Sequence, residues 1–105
     1  MINGGPETVY EMVRAIPEGR VTSYGALGQA LKNPVSGLVV GNWMSRCPDD
    51  VPWWRVIAKD GRIVIFKKDA AAALVQRKML EDEGIEFGPD EKVKVEGRIW
   101  DPRFD

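Results

Sequence analysis

Near the start of the chain the apolar positions recur at Val9, Met12, Val13 and Ile16, the i, i+3, i+4, i+7 spacing of one helical face. Pro6 stands where a first helical turn tolerates proline, and Pro17 with Gly19 ends the run. A short extended piece, Arg20 to Thr22, follows. Ser23 then offers its hydroxyl to cap a second helix from Tyr24 to about Lys32, with Leu27, Ala30 and Leu31 facing inward. Asn33-Pro34 breaks that helix. Ser36 can cap a third, Gly37 to about Arg46, ahead of Pro48. Two short helices joined by a few residues read as a helix-turn-helix.

The period changes after residue 55. Asp60-Gly61 sits between the β-prone runs 56–59 and 62–66, which is a hairpin signal. A last helix is expected from about Ala70 to Glu83, with Ala71, Leu74, Val75 and Met79 on its inward stripe and Gly84 at its C-terminal end. The tail, Val93 to Asp105, reads as extended and carries Trp100. The expected fold is mainly α with a small β-hairpin: a winged-helix-like helix-turn-helix, with residues 1–105 in a single domain.

Composition narrows the chemistry more than the fold. Hydrophobic residues at 44% and charged residues at 30% are the balance of a globular protein. No apolar run approaches the roughly 20 residues a membrane span needs, and the first residues lack a secretory pattern, so a cytoplasmic setting, associated with nucleoid or nucleus, is expected. A single cysteine, Cys47, excludes an internal disulfide and fits a reducing compartment. The absence of histidine removes Cys/His zinc sites, histidine-based triads and a histidine general base, and no cofactor or metal is expected. The net charge of −1 argues against a nonspecific nucleic-acid coat protein. It leaves a DNA binder open, because the acids cluster at 81–83 and 90–91 and local distribution outweighs the sum.

One stretch asks for an explanation. Two of the four tryptophans stand together in Val51-Pro52-Trp53-Trp54-Arg55-Val56-Ile57, and they fit a core, a partner surface or a pocket wall. With IPEGRVTSYGALGQAL (16–31), NPVSGLVVG (33–41), VPWWRVIAKDG (51–61) and LEDEGIEF (80–87), the chain resembles the C-terminal DNA-binding domain of the O6-alkylguanine-DNA alkyltransferases. It is similar still more to their non-enzymatic relatives, the alkyltransferase-like proteins, down to Trp100-Asp101-Pro102 in the tail.

That resemblance carries residue-level implications. The enzymes hold a Pro-Cys-His-Arg-Val motif whose cysteine accepts the alkyl group; here the positions read Pro52-Trp53-Trp54-Arg55-Val56. Alkyl transfer needs a thiolate or an equivalent nucleophile, and an indole is not one. Glu83 matches the relay glutamate with nothing left to activate, and Arg55 matches a residue that fixes the loop. The resemblance implies minor-groove binding by the helix-turn-helix and extrusion of an alkylated guanine into a pocket. The pocket would be formed by Tyr24, Pro52, Trp53, Trp54, Val56 through its backbone carbonyl, and a lid of Phe66, Lys67 and Lys68. Ser23, Tyr24, Gly37, Leu38, Gly41, Asn42 and Arg46 would meet the DNA. Leu38 stands where the family places an intercalating arginine, so an apolar wedge replaces a cation, with weaker binding and a shallower salt dependence expected.

The implied function is a monomeric sensor of O6-alkylguanine in double-stranded DNA that passes the lesion to nucleotide-excision-repair proteins, without a membrane partner. Structural readings stand beside it: Trp54 as packing behind the pocket, Leu38 as core, Lys67 and Lys68 as a solvated edge. Two other functions stand as alternatives. One is a plain winged-helix module without lesion specificity. The other is an alkyltransferase using Cys47, which has no histidine to activate it.

Overall fold

The computed structural model describes residues 5–64, 66 and 71–103. Helix α1 spans Pro6–Arg14, strand β1 Thr22–Ser23, helix α2 Tyr24–Gln29 and helix α3 Gly37–Met44. A single 3-10 turn, Trp53–Arg55, leads into strand β2, Val56–Ile57, and helix α4 spans Ala72–Asp82. Both expected serine caps form. Ser23 Oγ accepts from the Ala26 N–H at 3.0 Å, and Ser36 Oγ accepts from the Val39 N–H at 3.3 Å.

The α2–α3 corner is the most extensive contact between elements. Gly28 makes it possible. A Cβ there would overlap the Val35 carbonyl, which the inter-helix loop brings across the end of α2. Helix α1, through Val9 and Val13, and Ile16 in the turn after it close the corner from behind, and the Tyr10 hydroxyl donates to the Trp43 carbonyl at 2.7 Å.

The small sheet is a parallel pair rather than a hairpin. Strands β1 and β2 pair with Thr22 opposite Val56 and Ser23 opposite Ile57. The Asp60-Gly61 turn does reverse the chain, with the Ala58 N–H donating to the Arg62 carbonyl at 2.9 Å. Residues 62–64 nonetheless form no ladder, and the Gly61 carbonyl accepts from Val93 of the tail instead. Val56 and Ile57 are fully buried, which suits a parallel strand covered on both faces.

Helix α4 also departs from expectation. Its inward face is Ala72, Gln76 and Leu80, whereas Leu74 is 75% exposed and Val75 44% exposed. The helix is rotated because Gln76 is buried for its hydrogen bonds: its amide nitrogen donates to the Trp54 carbonyl at 3.1 Å and the Val56 carbonyl at 2.9 Å. A reading that follows apolar residues skips a buried polar one.

The buried residues form two clusters. One gathers α1, α2 and α3 around Leu27 and Val40; the other joins Val21, Ile57, Leu80, Ile85 and Val93. The adjacent tryptophans straddle them, Trp53 packing on the first and Trp54 on the second. The tail is tied in by backbone bonds on both sides of Val21, from Val21 N–H to the Arg98 carbonyl and from Trp100 N–H to the Val21 carbonyl, both 2.8 Å.

Candidate nucleic-acid interface

Helix α3 turns a stripe outward. Leu38 and Asn42 on the helix and Arg46 just beyond its end lie four residues apart and are exposed, Leu38 at 66%, while Val40 and Met44 face the core. Ser23 spends its hydroxyl as a cap, and Gly37 sits against the backbone of Gly25 where the helices cross.

Behind this corner lies a hollow lined by Tyr24, Met44, Ser45, Trp53, Val64, Phe66, Ala72 and Gln76. Of the residues assigned to a pocket from the sequence, it gathers Tyr24, Trp53 and Phe66. Tyr24 meets Phe66 edge-on with ring centroids 5.0 Å apart, and its hydroxyl donates to the Val64 carbonyl at 3.3 Å. Burial first, and then the neighbouring Cys47 sulfur, push the Tyr24 phenol up to about 12, so it is a neutral donor at physiological pH. The Phe66 ring tip rests on Gly41, where any Cβ would overlap it. With the ring there the hollow measures about 10 Å3, the space of one water. A hollow of that size is too small to hold a purine ring system.

The other assigned pocket residues lie elsewhere. Pro52 and Val56 are buried, and the Val56 carbonyl is already engaged by Gln76. Trp54 is turned from the hollow. It stands edge-on to Trp53 at 6.2 Å, and its indole Nε1 donates to Glu83 Oε2 at 2.8 Å. Lys67 and Lys68 lie outside the described residues.

Glu83 is a hub. Its carboxylate also accepts from Arg55 Nη2 at 2.7 Å and from the Gly19 N–H at 2.9 Å, and Arg55 Nη1 donates to the Ile16 carbonyl at 2.9 Å. Burial pushes the Glu83 carboxyl up, but the bonds from Arg55, Gly19 and Trp54 outweigh it and hold it below the usual carboxylate range. The hub joins the end of α4, the 3-10 turn and the loop after α1.

Gln76, Met44 and Ser45 line the hollow and were missed by sequence reasoning. The available signal for Gln76 was its place four residues from both Ala72 and Leu80. A second, larger hollow of about 450 Å3 is bounded by Ser23, Ser36, Gly37, Lys59 and the tail residues Trp100 and Arg103.

A compact helix-turn-helix corner with an outward stripe on its second helix and an aromatic hollow behind it defines a DNA-binding domain of the helix-turn-helix class. Comparison with known proteins gives the family: residues 6–85 match the family described as 6-O-methylguanine DNA methyltransferase, DNA binding domain, and the chain belongs to it. It is 31% identical over 97 residues to a DNA base-flipping protein of Escherichia coli, covering 90% of this chain and 73% of that one. It is 33% identical over 101 residues to alkyltransferase-like protein 1 of Schizosaccharomyces pombe, covering 90% and 92%. The crystal structure of S. pombe Atl1 in complex with damaged DNA containing O6-carboxymethylguanine superimposes with a TM-score of 0.74 at 29% identity, over 90% of this chain and 93% of that one. A bifunctional methyltransferase/endonuclease of Thermoplasma volcanium is 34% identical over 76 residues, and the chain spans only 24% of its length.

Proposed function

We propose that this chain is a non-enzymatic sensor of O6-alkylguanine in duplex DNA. The α2–α3 corner enters the minor groove, Leu38 wedges into the base stack, and the alkylated base is extruded into the hollow between Tyr24 and Trp53 as the Phe66 ring gives way. The observation that carries this reading is the Trp53 indole on the wall of a hollow lined by Tyr24 and Phe66, directly behind the corner. By its motif resemblance Trp53 stands for the reactive cysteine of the enzymes, and on this reading the site offers an apolar face instead of a nucleophile.

Selectivity has two sources. Extrusion costs a few kcal/mol, less for a base whose pairing alkylation has weakened. The indole face then shields the alkyl group, worth about 0.8 kcal/mol per buried methylene. On this reading the protein acts as a monomer in the cytoplasm, associated with nucleoid or nucleus, and the bent, occupied DNA is handed to nucleotide-excision repair.

Titrating fluorescent duplexes with and without one O6-methylguanine tests the proposal; equal affinity for both would remove it. Incubation with a duplex carrying a radiolabelled O6-methyl group tests the non-enzymatic part. The label is expected to stay on the DNA, and its appearance on Cys47 would make the protein an alkyltransferase.

A further inference from the structure

Gln76 is 1% exposed, on a side chain that lines the hollow. Its amide nitrogen donates to two backbone carbonyls, those of Trp54 and Val56. This fixes the orientation of the amide, because a flip would set its oxygen against two other acceptors. Its carbonyl oxygen has no hydrogen-bond partner among the described residues. A buried acceptor without a partner is expensive, and its place beside Tyr24 and Trp53 asks which donor it awaits.

An O6-alkylated guanine answers that question chemically. Alkylation at O6 removes the proton from N1, so the pairing edge of the base retains one donor, the exocyclic 2-amino group. The Val56 carbonyl, which the family resemblance puts at the guanine edge, already holds the Gln76 amide. The same side chain presents a carbonyl of its own in exchange. We propose that Gln76 reads the 2-amino group of the extruded base through its side-chain oxygen, making it a specificity-determining residue for guanine-derived lesions. This rests on the sensor reading above.

The test compares three duplexes that differ at one base: O6-methylguanine, O6-methylhypoxanthine, which lacks only the 2-amino group, and guanine. The wild-type chain is expected to bind the O6-methylguanine duplex about tenfold more tightly than the O6-methylhypoxanthine duplex. Two variants assign the effect. Q76K keeps a donor for the two backbone carbonyls and deletes the acceptor; Q76M keeps only the volume. Thermal melting identifies which of them folds, and a folded variant is expected to bind the two methylated duplexes alike. Wild-type protein that binds those two alike, or a folded variant that keeps the tenfold preference, overturns the assignment while leaving the sensor reading intact. Wild-type protein that fails to separate O6-methylguanine from guanine overturns the sensor reading and the assignment with it.

Discussion

The contact between Gly41 and Phe66 can be tested through a change of sign. A Cβ on Gly41 would overlap Phe66 Cζ and both Cε carbons, so Gly41→Ala forces the ring off its seat. Overpacking of this kind costs about 1–3 kcal/mol. Gly41 lies inside α3, where replacing glycine by alanine contributes about 1 kcal/mol in the other direction. The net is a loss of roughly 1 kcal/mol, which lowers Tm by about 4–8 °C in a domain of this size. In a Phe66→Ala background the obstacle is gone and only the helix term remains, so the same Gly41→Ala change should raise Tm. Circular-dichroism unfolding of the wild type, the two single variants and the double variant gives the coupling energy, expected at about 1–3 kcal/mol. If the two changes add to within about 0.5 kcal/mol, Phe66 does not rest on Gly41, and the closed hollow is wrong.

Three further outcomes follow. The Tyr24 phenol titrates at about 12 when folded against 10.0 in the open chain, so its contribution is intact below pH 10 and disappears as pH rises through 12. That is about 3 kcal/mol in all, and Tyr24→Phe should flatten this part of the alkaline stability profile. Glu83 runs the opposite way: its lowered pKa stabilises the fold above the ordinary carboxylate range and the benefit fades as pH falls. Glu83→Gln should destabilise by roughly 3–5 kcal/mol at neutral pH, by leaving the Arg55 charge without its counter-ion, and should level the acid limb of an unfolding series. Leu38→Arg should tighten binding to any duplex and steepen the salt slope by about 0.9; an unchanged slope would place residue 38 away from phosphate.

What the sequence displays well here is local. Ser23 and Ser36 cap helices because a hydroxyl and an N–H three residues on are all a cap requires. The aromatic hollow was legible through motif resemblance, which brought Tyr24, Trp53 and Phe66 together. The parallel pairing of Thr22 with Val56 was not, since two-residue strands 34 positions apart leave no periodic trace. The rotation of α4 was hidden by one buried glutamine, and Gln76 is also the site residue most easily overlooked. Trp53 and Trp54, adjacent in sequence, went to different duties because each packs on a different cluster.

The tail has a practical consequence for anyone who shortens this protein. Arg98 donates to the carbonyls of Gly19 and Gly84, Ile99 bridges to Val21, and Val93 completes the second cluster, all beyond the last residue of the family match. A fragment cut at residue 85 would bare the edge of Val21 and a flank of Leu80 to water. The stretch that similarity recognises is therefore shorter than the stretch that has to be synthesised, and expression boundaries belong after Trp100.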